Sequence, residues 1–281
     1  MIRLDDLGYS YPDSARPVLE RIDLEIADGS LTGLVGASGA GKTTLAKIIA
    51  GFIPQSEGGE RTGRVSVGGR DLAELSLAEA VSQVGLVLQN PFNQISGAKY
   101  TVREEIAFGL ENLGTPRAEM VVRVDEVAAL LGIADLLDRS PYDLSGGQMQ
   151  LVAIASMLVL RTPVLVLDEP TSQLDPAGTR LVFSVLDTLQ RAGATVLIFE
   201  HKVELLQTHV DRLLVLAGGS IAADGSPGAV LADERLQEWG VGATRYTRAA
   251  RLARQRGLLD PDDPLPVSFD QAVAVFGGGG R

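Results

Sequence analysis

There is no cysteine anywhere in the 281 residues, which excludes disulfide staples and thiolate-ligated metal centres. Long apolar runs are missing too. Even Leu151 to Leu160 is stopped by Arg161, well short of the ~18 residues that a membrane-crossing helix needs. The opening Met1-Ile2-Arg3-Leu4-Asp5-Asp6 lacks the apolar core of a signal peptide. Positive charge is scarce: 25 Lys and Arg face 36 Asp and Glu, a net charge of −11. A protein that grips nucleic acid shows a basic face, so no nucleic-acid partner is expected. On these absences a soluble, cytoplasmic chain is expected, with room for one large or two modest domains and an ample core.

What is present centres on Leu144 to Asp175. The stretch opens with Leu144-Ser145-Gly146-Gly147-Gln148 and continues as an apolar helix-like segment, Met149 to Leu160. Ser145 can cap that helix, and the free N–H groups of two glycines in its first turn suit a phosphate. Val164-Leu165-Val166-Leu167 has no polar residue, so it reads as a strand buried on both faces of a parallel sheet. It runs into Asp168-Glu169-Pro170, at the strand end where open α/β sheets bind ligands. One carboxylate there can hold a metal ion, and the next can take a proton from water. Asp175-Pro176 starts a further helix, with Asp as N-cap and Pro in the first turn.

Upstream, Gly36-Ala37-Ser38-Gly39-Ala40-Gly41-Lys42-Thr43 follows the apolar strand Leu31 to Val35 and precedes a helical pattern running to Gly51. That is the required context of a phosphate-binding loop. Its backbone amides would cradle phosphates, Lys42 would reach the outer two, and the Thr43 hydroxyl would bind Mg²⁺. Further strands are expected up to Tyr11, over Val18 to Ile26, Gly63 to Val67, Val84 to Leu88 and Ala194 to Phe199. A hairpin is expected around Gly218-Gly219. Between Pro91 and Leu144 only helices are expected, one of them opened by a Thr101–Glu104 capping box and one over Arg117 to Leu131. Ser226-Pro227 starts a helix expected to reach about Trp239. Arg245, Arg248, Arg251 and Arg254 predict a helix with a solvated basic side, and Gly277 to Gly280 a floppy tail.

Loop, signature and carboxylate strand, in this order, resemble the nucleotide-binding domain of the ABC ATPases over roughly residues 1–234. The resemblance implies an α/β P-loop NTPase. It would have a RecA-like parallel-sheet core, an N-terminal antiparallel β subdomain and a helical insertion at about 91–160. Residues 235–281 would form a C-terminal extension with a Gly-rich tail. It implies ATP and Mg²⁺ as cofactors, and it assigns roles. Tyr11 resembles the aromatic that stacks on adenine, although Tyr9 lies two residues away on the same face. Gly36 to Thr43, with Thr44 next to it, would hold the phosphates. Thr43, Gln89 and Asp168 would surround Mg²⁺, and Glu169 would be the general base. His201 resembles the histidine that contacts the γ-phosphate, whereas His209, inside a helix, reads as an ordinary polar residue. Ser145, Gly146, Gly147 and Gln148 form the signature, and Asp175 belongs to the loop between subunits. Spacing alone leaves open whether Ser145 serves its own chain or a partner.

Within the family, Gln89-Asn90-Pro91-Phe92-Asn93-Gln94, Thr101 to Gly114 and Glu200-His201 are similar to the energy-coupling-factor importers. That resemblance implies a peripheral protein on the cytoplasmic face of the membrane. Its partners would be a transmembrane coupling subunit, a substrate-binding membrane subunit and a second ATPase subunit, identical or not. The cargo would be a vitamin or a transition-metal ion. A conventional ABC transporter is the nearer alternative, and a soluble ABC ATPase that drives no transport is the more distant one. Gln150-Leu151 and Ser156 stand where the family often has arginine.

Overall fold

The computed structural model describes residues 1–277 apart from Asp13 and Pro261. In chain order its strands are β1 (Ile2–Ser10), β2 (Leu19–Ile26), β3 (Leu31–Gly36), β4 (Glu60–Val67), β5 (Arg70–Asp71), β6 (Val84–Val87), β7 (Val164–Asp168), β8 (Thr195–Phe199), β9 (Arg212–Ala217) and β10 (Ser220–Gly225). The helices are α1 (Lys42–Ile49), α2 (Leu77–Gln83), α3 (Val102–Asn112), α4 (Arg117–Leu130), α5 (Gly146–Leu158), α6 (Pro176–Arg191), α7 (Val203–His209), α8 (Pro227–Ala232), α9 (Arg245–Gln255) and α10 (Phe269–Gly277).

Two sheets organise them. An antiparallel sheet runs β2-β1-β4-β5, and a larger one runs β10-β9-β3-β8-β7-β6. In the larger sheet the five strands from β9 to β6 are mutually parallel, and β10 alone is antiparallel, closing one edge. Strands β3, β6, β7 and β8 are buried at every position, as expected of parallel strands covered on both faces. Alternation divides their side chains between two cores. Leu34, Val166, Leu197 and Phe199 join α1 and the buried face of the antiparallel sheet. Leu31, Val35, Leu165, Leu167, Val196 and Ile198 join the helices of the other face. Burying each such side chain contributes about 1.5–3 kcal/mol relative to leaving it in water. The helix α1 is therefore sandwiched between the two sheets, with Lys42 at its start carried to the carboxyl end of β3.

The stretch between β6 and β7 is helical, as the sequence predicts. Thr101 caps α3 with Glu104 reciprocating, and Ser145 caps α5 with Gln148 reciprocating. The helix expected from Ser226 to Trp239 is broken. It stops at Ala232, where the Asp233 carboxylate accepts the Arg235 N–H and opens a separate 3-10 turn, Glu234–Gln237. The basic side of α9 is solvated only in part. Arg245 and Arg248 are exposed, but Arg251 and Arg254 donate to the Asp233 and Asp263 carbonyls, because steps of three residues walk around a helix of period 3.6. Gly277 closes α10, and the rest of the expected tail lies outside the described residues.

The two departures after the signature resolve differently. Ser156 Oγ donates to the Val152 carbonyl at 3.0 Å, four residues back along α5. Leu151 is partly buried and packs against the core that holds Leu165 and Leu167. Beside it Gln150 is fully buried, and neither of its amide atoms has a partner among the described residues; no structural reason for that is evident.

Candidate nucleotide site

Strands β3, β8 and β7 are neighbours, so the loop after β3, His201 after β8 and the carboxylates ending β7 meet at one rim. They enclose a cleft of about 470 Å³, lined by Tyr11, Val18, Ser38, Gly39, Gly41, Lys42, Thr43, Thr44, Gln89, Glu169 and His201.

The loop needs its glycines at two positions. At Gly36 a Cβ would come within 2.3 Å of the Leu216 carbonyl, since β9 lies directly alongside. At Gly41 the backbone has φ +100°, and a Cβ would strike Leu19 at 2.7 Å. The turn throws Lys42 back over the loop, where its Nζ donates to the Gly36 and Ala37 carbonyls at 3.0 and 3.1 Å. Burial lowers the pKa of this ammonium, while Glu169 and Asp168 pull it upward. Lys42 is thus a nearly enclosed cation that an anion would hold in its charged form.

Beside it, Thr43 Oγ1 donates to Asp168 Oδ2 at 2.6 Å. The other oxygen, Oδ1, is buried without a partner among the described residues. Burial raises the Asp168 pKa, against the Thr43 hydrogen bond. An exposed hydroxyl bonded to a buried carboxylate with one unpartnered oxygen is chemistry that suits a hard divalent cation. Among the described residues no group of three or more His, Asp or Glu could cage a metal alone.

Glu169 is the geometric centre. Its Oε2 accepts the Gln89 amide N–H at 2.6 Å, and its Oε1 lies 2.6 Å from His201 Nε2. Its backbone sits at φ +47°, a region that costs a non-glycine residue about 1–3 kcal/mol and that concentrates at functional sites. The Glu169 N–H donates to the Phe199 carbonyl at 2.9 Å, which ties the end of β7 to the end of β8.

The two tyrosines separate clearly. Tyr9 is enclosed, 1% exposed, with its hydroxyl donating to the Gly58 carbonyl. Tyr11 faces the cleft, its hydroxyl 3.0 Å from Thr44 Oγ1 and its ring edge-on to Tyr9. His209, as expected of an ordinary helical histidine, contacts Asp187 at 2.9 Å. Signature residues Ser145, Gly146, Gly147 and Gln148 do not line the cleft of their own chain. Gly146 and Gly147 lie instead against Gln173 and Leu174, and Ser145 is exposed. Asp175 is also apart, accepting the Gly178 N–H at 2.7 Å as N-cap of α6.

Several contacts were invisible in the sequence. The Gln94 amide bonds to Leu86, Leu88 and Ala153 backbone groups, pinning the loop after Gln89 between β6 and α5. The buried Glu105 carboxylate accepts the N–H and hydroxyl of Ser96 at 2.7 and 2.8 Å. Each is a polar residue in a loop or helix whose partner lies in another element, so no local pattern marks it.

The family profile described as ABC transporter matches residues 19–172, more than half of the chain. The chain belongs to that family. A provisionally named ABC transporter ATP-binding protein of Pyrococcus horikoshii is 39% identical over 278 residues, spanning 98% of this chain and 96% of that relative. One of Methanosarcina acetivorans is 39% identical over 269 residues, 95% of this chain but 43% of the relative. The chain thus matches some relatives over their whole length and spans less than half of others. In structure it is similar to cbiO1 of Clostridium perfringens, described as part of the ABC transporter complex cbiONQ. The TM-score is 0.73 with 29% identity, covering 91% of this chain and 96% of that one. An ABC ATPase binds ATP and hydrolyses it, on a P-loop NTPase fold of the kind described above. No helix among the described residues of this ABC ATPase is long and apolar enough to cross a membrane.

Proposed function

We propose that this chain is the Mg²⁺-dependent ATPase that powers import through an energy-coupling-factor type ABC transporter, carrying a vitamin or a transition-metal ion. The observation that carries the catalytic reading is Glu169, held between Gln89 and His201 at the rim above Lys42. Phosphoryl transfer to water needs positioning and charge neutralisation more than covalent help. Tyr11 stacks on adenine. The Gly36 to Thr43 amides and the Lys42 ammonium take the phosphates. Glu169 orients the attacking water and accepts its proton, and His201 steadies Glu169 while facing the γ-phosphate. Thr43 and Asp168, with Gln89 nearby, hold Mg²⁺, which when bound neutralises phosphate charge.

The importer reading rests on the likeness to cbiO1 and on the extended loop that leaves the site at Gln89. It places the chain on the cytoplasmic face, paired with a second ATPase subunit beneath a transmembrane coupling subunit and a substrate-binding membrane subunit. Gln89 joins the site to that loop, which Gln94 and Glu105 fasten to the helical region. Gln89→Ala is therefore expected to lower transport more than basal ATP turnover, measured together in proteoliposomes carrying the full complex. Equal loss of both would count against a coupling role.

A further inference from the structure

Directly behind Glu169 and His201 lies a polar relay that the residue roles above leave without a task. Thr171 is two residues past Glu169, and Glu200 is the residue before His201. Both are shut away from solvent, at 0% and 3% exposure. We propose that Thr171, Glu200 and the exposed Lys202 form a positioning relay that fixes the Glu169–His201 pair for hydrolysis. The proposal rests on the reading of Glu169 as general base.

The direction of each hydrogen bond follows from donor chemistry. An ammonium can only donate, and Lys202 Nζ donates to both the Thr171 carbonyl and its Oγ1 at 3.0 Å. With that lone pair filled, the Thr171 hydroxyl turns its own proton to Glu200 Oε1, with which it is in contact. The other carboxylate oxygen accepts the His201 N–H at 3.0 Å and the Lys202 N–H at 3.4 Å. Every hydrogen bond to the Glu200 side chain is thus one that it accepts, which a carboxylate satisfies in full and an amide does not. A glutamine here would present its NH₂ either to the oriented Thr171 hydroxyl or to two backbone donors. The relay clamps the backbone on the far side of both site residues, and the Glu169 N–H bond to Phe199 clamps the near side. Between the two clamps Glu169 Oε1 and His201 Nε2 are left at 2.6 Å.

A clamp of this kind acts on the chemical step and leaves ATP binding alone, because its residues lie outside the lining of the cleft. In the full chain, Thr171→Val is expected to lower kcat at least about tenfold with KM for ATP within about twofold of the parent. Thr171→Ser, which keeps the hydroxyl, restores kcat. Lys202→Met changes only an exposed side chain, so it keeps the test open if the buried variants misfold. It is expected to lower kcat in the same way while leaving the melting temperature in place. Glu169→Gln is measured in parallel. If Glu169→Gln is inactive while Thr171→Val and Lys202→Met both keep parental kcat, the relay is overturned and the general-base reading stands. Thr171→Ser performing no better than Thr171→Val also overturns it. Glu169→Gln at parental turnover overturns the relay together with the reading beneath it.

Discussion

Replacing Lys42 with alanine is expected to lower ATP turnover at least ~100-fold. Lys42 is the one Lys or Arg among the described residues lining the cleft. It is 6% exposed, and its ammonium is held by two carbonyls of the loop that would wrap the phosphates. Burial depresses its pKa, and an arriving phosphate reverses that cost, so the interaction strengthens as charge builds on the transferring group. Removing the side chain also leaves two loop carbonyls without their donor, so nucleotide affinity should fall alongside turnover. Phosphate release and binding of a fluorescent ATP analogue, compared in the same preparation, check both. Parental turnover in Lys42→Ala would remove this residue from the site.

The second large effect is a recovery. Ser145 and Gly147 lie outside their own chain's cleft, and Ser145 is exposed at the start of α5. Placed against a partner's γ-phosphate, they would complete that partner's site, giving two composite sites per dimer. If the chain forms homodimers, Lys42→Ala and Ser145→Arg subunits are each inactive alone. In a mixed dimer one composite site carries both defects, and the other has an intact loop and an intact signature. ATPase activity should therefore reappear on mixing, with mixed dimers isolated through differential tags. Continued inactivity would place the signature's role within single chains, unless both sites must fire together. A tandem-fused dimer with one composite site disabled decides that exception, because residual turnover there shows that one site suffices.

Legibility followed how local each requirement is. The phosphate loop needs glycines where β9 presses on it and where φ is positive, and those sit within eight residues of Lys42, so the motif was readable. Strand β7 was readable because burial on both faces leaves no polar position before Asp168. The capping box at Thr101 and the Ser145 cap were readable because donor and acceptor are three residues apart, although the Gln148 half of the Ser145 box was not read. Tyr9 against Tyr11 was not, because a period of two gives both the same face. What separates them is the Gly58 carbonyl, 49 residues away, that receives the Tyr9 hydroxyl.

Helices that do little for the core were missed. In α10, Phe269, Ala272, Val273 and Phe276 share one helical face, but the helix is only nine residues long, too short for that period to stand out, and of the four only Ala272 is buried. The seven-residue α2, despite its Ser76–Glu79 capping box, is too short for periodicity to register. The break at Asp233 was missed because an Asp inside an amphipathic run looks like a surface position until its carboxylate is seen capping Arg235. Glu200 stood in plain view beside His201. Its burial against Thr171 depends on β8 lying next to β7, and residue spacing carries no sign of that.

The most direct test is phosphate release by Glu169→Gln at saturating ATP and Mg²⁺, with bound nucleotide measured in the same sample. The substitution keeps the side chain's size at φ +47° and removes only the charge that would accept the water's proton. Retained ATP binding with phosphate release lowered at least ~100-fold is the expected result. Parental phosphate release would contradict the assignment of Glu169 as general base.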